Sequence, residues 1–375
     1  MFVNISKKID WLLLLFLAPI LSAGLVTMKS FQSTGDTHFF TRQLVWILIC
    51  FGVFFVCSVM DFRFLKRRYV LPTIYLICSG LLVLVFIAGH TANGAKSWFS
   101  IAGIAFQPSD IMKLVLVIML SKYFSRRHVE IANFKHIIIS GVYALIPFGL
   151  ILIEPDFGSA IIIFFVWLGM ILFSGISKKH LLIVFAVGAS AFLVLWSFVF
   201  HPYQKERISN FLNPMSDIHG TGYNSYQATI AVGSGKLLGK GVGFGTQSRL
   251  QFLPEYQTDF IFAAYAEEWG FVGVLLLFVF FGLFLWRILF NAMHGATNFE
   301  ILFGVGLAVL FMSHVIVNVG MVIGLLPVTG VTLPFMSYGG SHLLTEFVGL
   351  GILMSMRRYA RATHRDNMRN EFLGI

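Results

Sequence analysis

Long apolar runs separated by short charged segments dominate the pattern of this chain. About ten of the runs are long enough to cross a bilayer as helices, which takes roughly 20 apolar residues each. The predicted spans lie near residues 11–28, 42–60, 70–88, 108–124, 137–153, 157–174, 180–200, 260–286, 300–325 and 339–356. The pattern therefore predicts an all-α polytopic membrane protein, in which residues 1–375 form one integral membrane domain.

One long polar segment interrupts this pattern, at residues 201–258 between predicted spans seven and eight. Most of the 27 Lys and Arg residues fall in connections that share a side with the N-terminus. The opposite connections before the long segment hold only Lys29, Arg42 and Lys96. By the positive-inside rule both termini are expected in the cytoplasm, and residues 201–258 form a long extracytoplasmic loop.

Composition supports a membrane protein and excludes other classes. The chain is 57% hydrophobic and 12% charged, with a mean hydropathy of +0.83, which is far from the balance of a soluble multidomain protein. The net charge of +10 follows from topology, so we expect no nucleic-acid partner. Cys50, Cys57 and Cys78 lie inside apolar segments and are expected to be buried packing residues. The N-terminal run could pass for a signal peptide, but with further spans behind it we expect an uncleaved first helix.

The long loop contains a glycine-rich stretch, GSGKLLGKGVGFGTQ, at residues 233–247. A nucleotide-binding P-loop is excluded, since Gly241 follows Lys240 at the position where a P-loop requires Ser or Thr. Two interpretations remain open. The stretch is either a flexible loop, or a backbone that approaches an anionic group closely while Lys236 and Lys240 supply positive charge.

Asp259 lies where predicted span eight begins, beside the long loop. Pro254 stops any preceding helix, so Thr258 is predicted to cap the next helix and Asp259 to lie in its first turn. One interpretation is ordinary helix-start chemistry. The other is a carboxylate that accepts a proton from a substrate hydroxyl, with burial or a neighbour such as Glu255 restoring its basicity.

Further candidate residues lie at other span ends. Asp110 and Lys113 are three residues apart, so in a helix they share a face and can pair, either as a structural ion pair or to bind an anionic substrate. Asp156 offers another carboxylate at the predicted outer surface. The irregular segment 326–341 is expected to be buried in protein or to line a cavity. The eleven histidines show no zinc-binding spacing.

Taken together, these motifs resemble the SEDS family of shape, elongation, division and sporulation proteins, which includes RodA and FtsW. The resemblance covers nearly the whole chain, since six blocks occur in the family's order and spacing. They are FQPSDIMK, EPDFGSA, ERISNFLNPMSD, IAVGSGKLLGKGVGFGTQ, FLPEYQTDFIFAAYAEEWGFVG and NVGMVIGLLPVTGVTLPFMSYGGS. The stretch GTQSRLQFLPE looks more like the elongation members than the division members.

The resemblance implies a peptidoglycan glycosyltransferase of the cytoplasmic (inner) membrane that polymerises lipid II on the outer face. It implies a class B penicillin-binding protein and other membrane proteins of the elongation complex as partners. It also implies a divalent cation, Mg²⁺ or Mn²⁺, for which no ligand spacing is visible in this chain. A lipid II flippase, a division-specific polymerase of the FtsW type and a non-catalytic scaffold remain alternatives.

The family's essential aspartate corresponds to Asp259, which is the predicted catalytic base. The family's acidic residue and lysine correspond to Asp110 and Lys113, with Asp here in place of the usual Glu. Ser97 and Ala228 are further departures from the family pattern. The other predicted substrate-binding residues lie in or beside the matched blocks: Asp156, Arg207, Gln227, Lys236, Lys240, Gln247, Glu255, Thr258, Ser337, Gly339, Gly340 and Ser341.

Overall fold

The computed structural model describes most of the chain as a bundle of helices. The described residues are 9–31, 38–92, 95–101, 104–126, 134–199, 222–250, 252–253 and 255–373, with the single residues 205, 209 and 211. Arg207 and most of the predicted outer loop before residue 222 lie outside the described residues.

Most of the helices follow the apolar runs of the sequence. In chain order, the helices are α1 (Trp11–Ser30), α2 (His38–Val59), α3 (Val70–Ala88), α4 (Pro108–Ser125), α5 (Phe134–Ile153), α6 (Phe157–Phe173), α7 (Lys178–Val194), α8 (Tyr223–Ser234), α9 (Thr246–Arg249), α10 (Ile261–Met293), α11 (Asn298–Val322) and α12 (Gly340–Leu373). Of these, α8 and α9 lie in the predicted outer loop. A 3₁₀ helix (Phe62–Lys66) precedes α3, and a π-helical turn (Leu195–Val199) extends α7.

Each predicted span coincides with one of these helices, and most bounds agree to within a few residues. The helices α10 and α12 continue about 7 and 17 residues past the predicted ends at 286 and 356. Seven helices of the described residues are both long and apolar enough to cross a membrane, and α6 is a shorter apolar helix. The helix α4 holds three charged residues among 18, and most of the charged residues of α12 lie in its C-terminal half. The polytopic helical class is therefore confirmed, while the count of ten spans and the cytoplasmic location of both termini stay predictions.

A small sheet between α3 and α4 was not predicted. Its strands are β1 (His90–Ala92), β2 (Ala95–Ile101) and β3 (Ile104–Phe106), which pair antiparallel in the order β1-β2-β3. The sheet contains Ser97, which is buried.

One end of the bundle is joined by a buried ionic cluster. Asp10, which precedes α1, accepts from Arg287 Nε of α10 at 2.7 Å and lies 2.7 Å from Arg357 Nη1 of α12. The cluster holds the start of α1, the last turns of α10 and the middle of α12 on one side, as the predicted topology requires of residues 10, 287 and 357.

The tenth helix is broken at Gly270. Gly270 has φ 65° and ψ −168°, a conformation open essentially only to glycine, so α10 consists of a short helix over residues 261–269 and a longer one over 271–293. The prediction of a span over 260–286 did not include this break, because the hydropathy of the sequence continues through it without a change.

The glycine-rich stretch fills the break and binds the backbone on both sides of it. Two N–H groups of the stretch donate to carbonyls that end the short helix, and two carbonyls accept from N–H groups that begin the longer one. These pairs are Lys240 to Glu267 at 3.0 Å, Gly241 to Glu268 at 3.0 Å, Phe271 to Lys236 at 2.9 Å and Val272 to Leu237 at 3.1 Å. Backbone groups exposed by the break are thus satisfied within the protein, as irregular backbone at membrane depth requires.

The connection between α5 and α6 contains a buried carboxylate. Glu154 is only 1% exposed, and neither of its carboxylate oxygens has a hydrogen-bond partner among the residues that the structure describes. Burial raises the pKa of Glu154 to about 8, and the neighbouring Asp156 carboxylate adds to the shift.

Replacement of Gly270 tests the break. In Gly270→Ala we expect a loss of about 1–3 kcal/mol from backbone strain alone. The new Cβ would also press on the backbone N of Gly239. Purified protein in detergent should therefore melt several degrees lower. Gly282→Ala is the matched control, since Gly282 lies in the same helix with open space around it. An unchanged melting temperature in Gly270→Ala would contradict the described break.

Stability should depend on pH through Glu154. The folded state holds the Glu154 proton up to about pH 8, whereas the unfolded chain releases it near the ordinary value of 4.5, so folding stability falls as the pH rises between these values. Glu154→Gln mimics the protonated form. Its melting temperature should equal that of the wild type at low pH and exceed it near pH 8.

The opposite result is expected for a paired carboxylate. Glu300 accepts from Lys66 Nζ at 2.9 Å, so Glu300→Gln should lower the melting temperature at the higher pH. A difference in melting temperature between the wild type and Glu154→Gln that stays constant across the whole pH range would contradict the prediction.

Candidate active site

Asp259 lies on a turn that precedes α10. The helix begins at Ile261, with Phe260 as its N-cap residue and no capping side chain. The Thr258 hydroxyl instead lies 3.1 Å from Glu255 Oε2, to which it donates. The predicted Thr258 cap and first-turn position of Asp259 are therefore wrong, because residues 255–260 form a separate turn that begins with Glu255 at φ 47°.

The backbone of this turn is held at three consecutive carbonyl groups. Each carbonyl accepts one hydrogen bond from a residue of α11 or of the segment before α12. The donors are Tyr338 N–H to Gln257 at 2.9 Å, Ser337 Oγ to Thr258 at 2.6 Å and Asn318 Nδ2 to Asp259 at 2.8 Å. Asp259 is therefore fixed in place although it is partly exposed.

Gly330 allows the Asp259 carboxylate to lie close to the 326–339 segment. Its φ is 72°, and a Cβ added there would lie 3.4 Å from Asp259 Oδ2. Asn318 joins the same two segments, because its Nδ2 also donates to the Val331 carbonyl at 2.7 Å. The 326–339 segment thus forms one wall around the carboxylate. Its residues 333–337 are buried in protein, as the sequence predicts for irregular backbone, whereas Gly330 is exposed.

Asp110 and Lys113 form a buried ion pair on α4. Lys113 Nζ lies 3.1 Å from Asp110 Oδ1, and both residues are about 5% exposed or less. Ser341 Oγ, at the start of α12, donates to Asp110 Oδ2 at 3.3 Å. The predicted pairing is confirmed, and the structure joins two motifs that are more than 200 residues apart.

Three further members of this cluster, two of them histidines, were not predicted from the sequence. His342 and Glu346 of α12 and His314 of α11 line the same small cavity as Asp110 and Lys113, which has room for roughly one water molecule. The signal that could have found them is their occurrence inside apolar spans, where ionisable residues are costly.

The corner that contains Asp156 is held by local hydrogen bonds. Asp156 caps α6, accepting from the Ser159 N–H at 2.9 Å, and its second oxygen accepts from Gln107 Nε2 at 2.9 Å. Gly158 packs against the backbone of Thr329, so the corner supports the segment that approaches Asp259.

The glycine-rich stretch does approach an anionic group, but the group belongs to the chain. Glu267 accepts from Lys240 Nζ at 2.7 Å and from the Gln247 N–H at 3.2 Å. Glu268 accepts from the Gly243 N–H at 3.0 Å. The positive charge of Lys240 is therefore directed at Glu267, whereas Lys236 is exposed.

The remaining predicted residues are distributed around these features. Ser337 is buried and accepts from the Leu333 N–H at 2.9 Å, so its described contacts are structural. Gly340 packs against the Trp46 ring, and Gly339 is partly exposed beside it. Gln227 is partly exposed on α8, and Ala228 next to it is buried.

A metal centre is not evident among the described residues. No three of their His, Cys, Asp or Glu side chains lie close enough to hold a metal ion. Mg²⁺ often needs only one or two carboxylates when substrate phosphates complete its ligands. The described side chains therefore do not form a closed cation site, and the predicted divalent cation stays a prediction.

Comparison with known proteins gives consistent relatives over nearly the full chain. A family model described as "Cell cycle protein" (FtsW, RodA, SpoVE) matches residues 6–362. Peptidoglycan glycosyltransferase MrdB of Escherichia coli (strain K12) is 36% identical, covering 96% of this chain and 97% of its own length. Stage V sporulation protein E of Bacillus subtilis (strain 168) is 35% identical, covering 94% and 98%.

A solved structure has the same fold. It is described as "Structural coordination of polymerization and crosslinking by a peptidoglycan synthase complex". The TM-score is 0.80 and the sequence identity is 30%, and the match covers 94% of this chain and 98% of that chain. The range that the family model matches includes all six sequence blocks, and the solved structure shares the arrangement of the helices. The chain belongs to the FtsW, RodA and SpoVE family.

Proposed function

We propose that the protein is a peptidoglycan glycosyltransferase that polymerises lipid II, with Asp259 as the general base. Asp259 takes the proton of the acceptor's sugar 4-hydroxyl as that oxygen bonds to the donor's anomeric carbon. The bond from that carbon to the pyrophosphate oxygen breaks, and undecaprenyl pyrophosphate leaves with the electron pair. The description of the relative MrdB as a peptidoglycan glycosyltransferase supports this activity.

The observation that carries the proposal is that Asp259 is partly exposed while the backbone around it is fixed. Three consecutive carbonyls, at residues 257, 258 and 259, are each held by a hydrogen bond, while Asp259 as a whole is partly exposed. A general base must be within hydrogen-bonding reach of the proton it removes, and a fixed backbone limits the positions of the carboxylate. A lipid-linked sugar arriving from the bilayer meets this end of the bundle under the predicted topology.

One carboxylate is sufficient for this reaction. A hydrolytic glycosidase needs a second carboxyl group as a general acid to protonate a poor leaving group. Pyrophosphate leaves without protonation, and nearby cations stabilise its developing charge. The exposed Lys236 is better suited to this role than Lys240, which pairs with Glu267 at 2.7 Å.

The divalent cation also belongs to the proposal. With no closed set of ligands among the described residues, it would be held partly by pyrophosphate oxygens, and when bound it would supply positive charge to the leaving group. No step described above depends on it.

Elongation is the cellular role we propose, with a class B penicillin-binding protein as partner in the inner membrane. The peptidoglycan synthase complex that shares this fold supports a transpeptidase partner, and the similarity to MrdB supports the elongation role. Depletion should then produce rounded cells. Filamentous cells would instead support a division-specific, FtsW-type role.

A lipid II flippase is the second candidate, and the buried charges favour it. Asp110, Lys113 and His342 lie inside the bundle, and ionisable residues in such positions often mark transport paths. Purified protein in liposomes separates the two functions. Lipid II that crosses the bilayer without polymer formation would favour the flippase.

Asp259→Asn tests the general base directly. The substitution keeps the shape of the side chain and leaves the three carbonyl contacts intact, so we expect a folded protein with an unchanged melting temperature. Loss of the base should reduce glycan polymerisation from purified lipid II by about 10²–10⁴-fold.

Asp61→Asn is the control, because Asp61 lies far from this turn in sequence and pairs with Arg63 at 2.6 Å on the surface. It should polymerise lipid II at the wild-type rate. Unimpaired polymerisation by a folded Asp259→Asn protein would rule out the general-base role.

A further inference from the structure

The buried cluster beside α4 forms a chain of alternating charges. His342 Nδ1 lies 3.3 Å from Asp110 Oδ1, and His342 Nε2 lies 3.0 Å from Glu346 Oε1. Each ring nitrogen faces a carboxylate oxygen, so the arrangement favours the imidazolium form, in which both nitrogens carry a proton. The contact with Glu346 is an ion pair that does not have the geometry of a hydrogen bond.

Pairing explains how these charges are tolerated in the bundle. Glu346 is 4% exposed, and a buried charge is costly unless an opposite charge compensates it. Lys113, Asp110, His342 and Glu346 alternate in sign, so each carboxylate has a cationic neighbour.

The second oxygen of Glu346 binds a strained turn. Glu346 Oε2 accepts from the Phe335 N–H at 3.0 Å. Phe335 has φ 60°, a left-handed conformation that a bulky residue adopts only when its surroundings impose it. Its ring packs against Phe284 and Phe311 with centroid distances of 5.2 Å each, so the hydrogen bond and the aromatic contacts together hold the turn.

The Phe335 turn supports the backbone of Asp259. Two residues after Phe335, the Ser337 hydroxyl donates to the Thr258 carbonyl at 2.6 Å, and the Tyr338 N–H donates to the Gln257 carbonyl at 2.9 Å. A shift of the Phe335 turn would therefore move the residues that hold Asp259 in place.

We propose that Glu346, with its charge balanced by His342, is a positioning residue that fixes the Phe335 turn and through it the place of Asp259. The inference rests on the proposed role of Asp259. Glu346 touches no reacting atom in this account, so its loss should affect turnover more than the binding of lipid II.

Two substitutions at Glu346 separate the hydrogen bond from the charge. Glu346→Gln keeps an oxygen for the Phe335 N–H, and its amide can donate to a neutral His342, so turnover should stay within about threefold of wild type. Glu346→Leu removes the acceptor and should lower turnover at saturating lipid II by roughly 10–100-fold, with little change in the half-saturating concentration.

A double variant separates positioning from stability. In Glu346→Leu the His342 charge loses one partner, which lowers the melting temperature. Glu346→Leu with His342→Leu removes that unbalanced charge and should recover part of the loss in melting temperature but not the turnover, since the Phe335 N–H still lacks its acceptor. Thr345→Val is the matched control, because Thr345 lines the same cavity and, within the described part of the chain, its hydroxyl donates only to the Ser341 carbonyl at 3.0 Å.

Three results would overturn the inference. They are wild-type turnover in folded Glu346→Leu, a loss in Glu346→Gln as large as in Glu346→Leu, and full recovery of turnover in the double variant. Asp259→Asn measured in parallel distinguishes the two proposals. If Asp259→Asn polymerises normally while only the variants that lack the acceptor lose turnover, the general-base role fails and the support of the turn by Glu346 stands.

Discussion

The constraint on which this structure depends is that backbone polar groups must be paired wherever a helix is interrupted inside a membrane bundle. Two interruptions lie on either side of Asp259. At Gly270 the glycine-rich stretch supplies four backbone hydrogen bonds across the break. Between α11 and α12, Asn318 and Glu346 bind the backbone of the irregular segment. Satisfying these groups also builds a fixed support for the turn that bears Asp259.

Charge is used in two different ways in the molecule. Glu267 and Glu268 each accept from the glycine-rich stretch, so these carboxylates order a loop that the sequence left open to two interpretations. The cluster of Asp110, Lys113 and His342 instead lies within the bundle and pairs helices α4 and α12. Asp259 differs from both groups, because it is partly exposed at a position whose backbone is fixed.

Local features could be predicted from the sequence, whereas contacts between distant segments could not. Hydropathy located the helices, and the i,i+3 spacing predicted the pair of Asp110 and Lys113. The break at Gly270 was missed because only the glycine-rich stretch, which binds there, makes the non-helical conformation favourable. The contact of Glu346 with Phe335 was missed for the same reason, since it depends on how α12 packs and not on any local pattern.

The central claim is that Asp259 receives the acceptor's hydroxyl proton, and its most direct test is the structure of an arrested complex. Cryo-electron microscopy of the Asp259→Asn protein with lipid-linked donor and acceptor would locate the acceptor sugar. The account predicts its 4-hydroxyl at a hydrogen-bonding distance of roughly 2.6–3.2 Å from the side chain of residue 259. A 4-hydroxyl bound to another residue, with residue 259 out of reach, would contradict it.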